Sequence, residues 1–223
     1  MSRMPREAGH AYGGVPAAER TAARRTRLVE AALDLMSEGS WRSVTVAALC
    51  ARASLHKRYF YETFTDLDDV ARAAIDHVAE AVATAALGTF LSLSESDPLD
   101  ERAHVTLGAV VRVLVEDPRK AQTLFGPVSA SLETLEHRAL ALDGLTAILV
   151  EHARTIHDVE LEADSLATTT PAFLVGGTGE AILAWLRNPE RPSVDQLVDD
   201  ITTLWLLTGN GAADAAGRRL RGR

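Results

Sequence analysis

Lys57, Arg58, Tyr59 and Tyr61 put two cations and two phenol hydroxyls into five consecutive positions, with Phe60 and Phe64 interleaved. The chain is poor in both residue types elsewhere. Its aromatics are five Phe, three Trp and three Tyr among 223 residues, and its two lysines are Lys57 and Lys120. Residues four apart share a helix face, so Phe60 and Phe64 would anchor such a helix while Arg58, Tyr59 and Glu62 point away from them. An outward helix face with cations and hydroxyls suits the major groove of DNA, which admits one α-helix and offers it donor and acceptor edges. Tyrosine hydroxyls and helix N-termini can bond phosphate oxygens. A hydrophobic corner with snorkelling Lys and Arg stems would give the same composition.

Other chemistry finds little support. The seven histidines stand at 10, 56, 77, 104, 137, 152 and 157, with no Glu-x-x-His or Cys-x-x-Cys pattern. Cys50 is the one cysteine, so an internal disulfide is impossible and a reducing compartment is expected. The glycine-rich stretch Val175–Glu180 follows no strand signal and fails the context of a phosphate loop. No enzyme, metal or cofactor is expected. The net charge is −8, but unevenly spread: residues 1–64 carry net +4 and residues 65–223 net −12. A basic head on an acidic body fits a head that meets a polyanion. No signal peptide is visible. Among the membrane candidates considered, the longest uncharged run, Ser165–Gly179, is too short and polar to span a bilayer. A cytoplasmic protein without a membrane partner is expected.

The elements that would position the opening residues are helices. Leu28, Ala31, Ala32, Leu35 and Met36 follow helical spacing and Gly39 stops them. Thr45 is the expected N-cap of a short helix over "VAALCARA". That helix and Lys57–Thr63, joined by a tight turn, have the dimensions of a helix-turn-helix. Asp66 should cap a long helix with Asp68 and Asp69 in its first turn. Asp97-Pro98 and Asp117-Pro118 read as helix starts with Pro at the first helical position. A long helix is expected from Pro127 to about His157, another from Ala163 to Arg187, and a last one from Ser193 to Thr208, with Ser193 as cap and Gly209 as stop. With no strand pattern, the fold class is all-α with about nine helices: a three-helix N-terminal head and a larger helical body. The divisions are a disordered arm at 1–18, a helix-turn-helix domain at 19–65, a body at 66–209 and a flexible tail at 210–223.

The 50 residues "TRLVEAALDLMSEGSWRSVTVAALCARASLHKRYFYETFTDLDDVARAAI" resemble the DNA-binding head of the tetracycline-repressor (TetR) family. "LAWLRNPERPSVDQLVDDITTLW" is similar to the closing helix pair of that family. The resemblance implies base reading by Lys57, Arg58 and Tyr59. It implies phosphate contacts from Thr45, Tyr61 and Thr63, with His56 at the cap of the recognition helix and counted with them. Ser54 stands where the family has a turn glycine, which predicts a strained or shifted turn. Ala47 and Leu67 stand where contact residues are usual. Arg24, Arg25, Arg27 or Arg42 could then supply phosphate contacts instead.

In the body, Val194, Leu197, Val198, Ile201, Leu204, Trp205 and Thr208 form a coiled-coil-like seam. The preceding helix is apolar on more than one side and needs two neighbours, one of which could be a second subunit. An ordinary internal helix pair is the alternative. The resemblance implies a homodimer closed through Leu174, Gly177, Ala181, Trp185, Leu197, Ile201, Leu204 and Trp205. It also implies a pocket for an unknown small-molecule effector. The pocket set is Phe90, His104, Leu107, Val111, Phe125, Thr146 and Phe173, chosen as candidate walls or as polar groups on apolar helices. The expected function is a ligand-responsive regulator of transcription, most simply a repressor released from a palindromic operator in double-stranded DNA. A helical protein-binding adaptor without DNA activity is the alternative.

Overall fold

The structure, a computed structural model, describes residues 16–39, 41–94, 96–127, 130–154 and 163–222, the side chains of 17 and 152–154 excepted. Most of the arm assigned to residues 1–18 lies outside the described residues. Nine α-helices and no strand occur among them. They are α1 (Ala17–Ser37), α2 (Val46–Arg52), α3 (Lys57–Tyr61), α4 (Leu67–Ser92), α5 (Leu99–Glu116), α6 (Pro118–Phe125), α7 (Leu132–Arg154), α8 (Leu166–Arg187) and α9 (Val194–Arg221). The all-α class expected from the sequence is the one observed.

Local chemistry sets most of the boundaries. Thr45 Oγ1 accepts from the Ala48 N–H at the start of α2, Asp66 from Asp69 at α4, Asp117 from Arg119 at α6, and Ser193 from Gln196 at α9. Each satisfies an N–H that the helix cannot pair internally. Pro118 is the first residue of α6, as the sequence implied, but Pro98 is the cap before α5 and not its first turn. Asp97 instead accepts from the Ser94 N–H at 2.8 Å and closes the preceding turn. Residue 157, the expected end of α7, lies outside the described residues, and α8 starts at Leu166, three residues later than expected.

The larger correction concerns the C-terminus. Gly209 does not stop α9, which runs on to Arg221, so residues 210–221 are helix and not a separate tail. A helical glycine costs about 1 kcal/mol relative to alanine. That cost is offset here because Ala216 is buried and Arg219 donates to the buried Asp164 at 3.1 Å. Arg218, Arg219 and Arg221 also place positive charge at the negative end of the helix dipole.

Head and body share one core. Leu28, Leu49 and Phe60 are fully buried in the head, and the buried cluster continues through Val70, Ile75 and Val78 of α4 into Val111, Leu124 and Ile182 of the body. α4 packs on α5 and α7 as well as on α1. Among the described residues this helix is the one segment long and apolar enough, by length and composition, to cross a membrane, with mean hydropathy 1.2 over an 18-residue window. Val70, Ala71, Ala73, Ala74, Ile75, Val78 and Val82 are buried in the core, Ala83, Ala86, Leu87, Phe90 and Leu91 line a cavity, and Leu87 and Leu91 are also exposed.

Candidate nucleic-acid interface and ligand cavity

The helix-turn-helix is held by α1. Phe60 and Phe64 of the third helix and its exit turn are buried, and Tyr61 packs edge-on against Phe60 with centroids 5.2 Å apart. The turn between α2 and α3 places Ser54 at φ +52°, the left-handed region that a glycine would enter freely. Arg27 of α1 holds this turn: its guanidinium donates to the carbonyls of Ala53 at 2.6 Å and Ser54 at 2.9 Å. The strain expected at Ser54 is therefore present, and a clamp opposes it.

The outward face carries Lys57, Arg58 and Tyr61, all exposed, and the Arg58 side chain is 83% exposed. Arg58 Nε donates to Glu62 at 2.7 Å, and Arg24 of α1 donates to the other Glu62 oxygen at 3.0 Å. The Glu62 carboxylate holds the Arg58 guanidinium above its ordinary pKa. An exposed pair of this kind is weakly held, so Arg58 can exchange Glu62 for another acceptor. Tyr59 is half-buried under Arg24, whose guanidinium lies 4.3 Å from the ring centroid. The expectation that Tyr59 points freely outward is corrected to a ring stacked on α1.

Thr45 is exposed; its oxygen is spent on Ala48, but its O–H proton remains available to a phosphate. His56 is exposed at the α3 cap position and makes no capping bond. Thr63 differs. Its hydroxyl donates to the Tyr59 carbonyl at 2.9 Å and its N–H to the Phe60 carbonyl at 2.9 Å, so it has no donor to spare as it stands. The arginines considered as substitutes also divide. Arg24 and Arg27 are committed to Glu62 and the turn, and Arg25 lies over the Phe64 ring at 5.3 Å. Arg42, exposed in the 3-10 turn Trp41–Ser43, has no ion-pair partner among the described residues. Cys50 is buried beneath this surface, and burial raises its thiol pKa despite an opposing effect from Lys57.

A cavity of about 540 Å³ lies in the body, lined from α4, α5, α6, α7, α8 and α9. The walls are overwhelmingly apolar. Of the expected pocket residues, Phe90, Leu107 and Phe125 line it. Four do not. His104 is turned to Asp199 at 3.4 Å, Val111 is sealed in the core, Thr146 donates to the Leu142 carbonyl at 2.9 Å, and the Phe173 side chain is exposed to solvent. Thr146 and His104 each satisfy their polar group locally or at the surface, which a polar residue on an apolar helix does not reveal from its own position. The lining by Gly209, Asn210, Ala212 and Ala213 was missed with the C-terminal extension of α9. The helical pattern of small residues in "GNGAADAAG" was the available signal.

The expected dimer residues also separate. Leu174, Leu197 and Ile201 are buried within this chain, so they cannot pack on a partner as the structure stands. Trp205 Nε1 donates to Thr178 at 2.7 Å, and Trp185 Nε1 to the Pro192 carbonyl at 2.9 Å under the Arg191 guanidinium. Ala181 is half-buried, whereas Gly177 is exposed on α8 and Leu204 on α9. Phe173, Gly176 and Ala184 continue the exposed stripe of α8, and Leu207 that of α9.

Neither a family model nor a curated protein matches the chain. Solved structures do. A TetR-like transcriptional regulator from Rhodococcus sp. superposes with TM-score 0.63 at 17% identity, over 87% of this chain and 97% of that one. The regulator FadR from Bacillus subtilis, solved with stearoyl-CoA, gives TM-score 0.60 at 16% identity over 81% and 96%. AibR, solved with isovaleryl coenzyme A and operator DNA, gives 0.62 at 15% identity over 81% and 97%. The chain has the TetR-type fold.

Proposed function

We propose that the protein is a ligand-responsive transcriptional regulator of the TetR type that binds a palindromic operator as a homodimer. It acts most simply as a cytoplasmic repressor released by a small-molecule effector. The observation that carries this reading is the exposed Lys57–Arg58–Tyr61 face on a helix whose opposite side, Phe60, is fully buried. Fixed inward aromatics hold the outward cations in a set orientation, which a groove-reading helix requires. The TetR-type fold supports it, as does operator DNA in the AibR structure. Thr45, Tyr61 and Arg42 are the phosphate donors the geometry favours, Lys57 and Arg58 the base readers.

The dimer is supported by the paired exposed stripes of α8 and α9. Phe173, Leu204 and Leu207 are 66%, 57% and 68% exposed on adjacent helices, a patch that a monomer has no use for. A two-fold axis through this patch would carry two α3 helices to half-sites roughly 34–36 Å apart. The effector reading rests on the cavity, whose size falls within the range of about 300–1,000 Å³ usual for small-molecule sites. Similar structures hold acyl coenzyme A ligands, and the apolar walls here would accept an acyl chain.

Selection of bound duplexes from a random pool, at fixed salt, tests the function. A palindromic consensus is the expected result. Recovery of no duplex even at low salt would leave the protein-binding adaptor as the better reading.

A further inference from the structure

We infer that the cavity takes an amphipathic monocarboxylate, with its apolar chain among the cavity walls and its carboxylate on Arg102 and Thr106. The inference rests on reading the cavity as the effector site and adds the class of effector. Two atoms carry it. Arg102 Nε and Thr106 Oγ1 are both buried without a hydrogen-bond partner among the described residues, and both residues line the cavity. They are four apart on α5 and so lie on one helix face. Leaving a buried polar group unpaired is costly, and more so when it is charged, so a ligand that supplies the acceptor is bound by what it relieves. Thr123 and Thr202 also lack partners, but neither lines the cavity.

Arg102 is the one basic residue among the described lining residues. Its guanidinium lies 5.0 Å from the Phe90 ring centroid, a contact that orients its plane and consumes none of its N–H donors. Glu151, the one acidic residue of the described lining, is exposed. The Thr178 hydroxyl is occupied by Trp205. Thr170 and Asn210 also line the cavity, but of its polar atoms Arg102 Nε and Thr106 Oγ1 are the ones buried without a partner, and a forked cation with a hydroxyl beside it matches a single carboxylate. A dianion would bring a second charge into an apolar site with nothing to pair it. Leu87, Leu91, Leu107, Val110, Leu149 and Val175 supply walls for an aliphatic chain.

Calorimetric titration of the full chain with carboxylates from hexanoate to palmitate, and with the matching alcohols, methyl esters and coenzyme A thioesters, tests this. The best carboxylate should bind at least about tenfold more tightly than its alcohol or ester. Arg102→Gln should remove that preference while leaving alcohol binding within about twofold, and Thr106→Val should reduce it. Equal binding of acid and alcohol, a preference for the thioester, or no binding by any acid would overturn the inference. Should Arg102→Gln not fold, the acid-against-alcohol comparison on the unsubstituted chain decides alone. Operator affinity is measured separately. A carboxylate that binds through Arg102 without changing operator affinity keeps this inference and removes the regulatory reading. A neutral effector that releases operator does the reverse.

Discussion

Arg119 at the start of α6 donates to Asp34 of α1 at 2.7 Å, joining the body to the head across 85 positions of sequence. The same guanidinium reaches Glu30 at 3.0 Å and Asp117 at 2.7 Å, and Asp34 in turn meets Arg52 of α2 at 3.3 Å. Phe125, six residues on at the other end of α6, lines the cavity. A short rigid helix thus spans from cavity wall to head. Arg119→Met should lower stability by about 1–3 kcal/mol, since carboxylates are left without their cation. It should also weaken the effect of an effector on operator affinity, measured as the ratio of dissociation constants with and without ligand. An unchanged ratio would exclude the Arg119 junction as the route from cavity to head.

The pH dependence of this junction has a definite sign. Hydrogen bonding from Arg119 holds the Asp117 carboxyl below its ordinary 3.8. A depressed folded-state pKa contributes stability that is fully present above the unfolded value and is lost as pH falls through the folded one. The stability difference between the unsubstituted chain and Asp117→Asn should therefore be largest at neutral pH and shrink below about pH 4, when followed by thermal melts across that range.

On the recognition face, Arg58→Ala should cost about 1–3 kcal/mol of operator affinity and relax specificity at one base position. Tyr61→Phe should weaken all sequences alike by about 1 kcal/mol, as loss of one phosphate bond does. Both side chains are exposed, so melting temperatures should barely change. Glu62→Gln, which frees Arg58 and removes a negative charge from the face, should strengthen DNA binding. Binding titrations over a salt series separate these effects from nonspecific charge. A loss confined to a protein partner would favour the adaptor reading.

The division of Phe60 and Phe64 from Arg58 was legible in the sequence because helical periodicity alone dictates it. So were the Thr45, Asp66, Asp117 and Ser193 caps, which need only a side chain three residues or fewer from its N–H. What was not legible depends on partners distant in sequence. Tyr59 is turned inward by Arg24, and Arg27 is drawn to the Ser54 turn 27 positions away. The C-terminal half of α9 reads as a glycine-interrupted tail until Asp164 and the cavity give it neighbours. Which of Leu197, Ile201 and Leu204 faces outward needs the position of α5, against which α9 packs.

Ser54→Gly bears on the turn itself. A non-glycine residue in the left-handed region is strained by about 1 kcal/mol, whereas glycine enters it freely and pays instead in unfolded-chain entropy. The substitution should raise stability by up to about 1 kcal/mol in denaturant melts without loss of operator affinity. Arg27→Ala should act in the opposite direction, because it releases the two carbonyls that the guanidinium holds. If Ser54→Gly weakens operator binding while raising stability, the strained turn itself contributes to the approach of α3.

The exposed stripes give a test of assembly. Leu204→Asp with Leu207→Asp places two charges in the α9 stripe without touching the protomer core, since both side chains are more than half exposed. Sedimentation should show the unsubstituted chain as a dimer and the double variant as a folded monomer. Operator affinity should fall by far more than any single contact, because the second head loses its high effective concentration. A monomeric unsubstituted chain would remove the two-fold reading.

Gly179 of α8 lies flush against the Phe125 ring, and a Cβ added there would fall inside it. Gly179→Ala therefore forces the ring to swing or α6 to separate from α8. Overpacking of this kind costs about 1–3 kcal/mol. Because Phe125 lines the cavity, effector affinity should fall with it, and the Arg119 end of α6 should transmit the shift to the operator even without ligand. Gly88→Ala is the control. It is helical with open space around it, so it should stabilise by about 0.5–1 kcal/mol and change neither affinity. Effector and operator titrations on the two variants decide the matter: if Gly179→Ala loses stability but keeps both affinities, α6 is packing material and not the route from cavity to head.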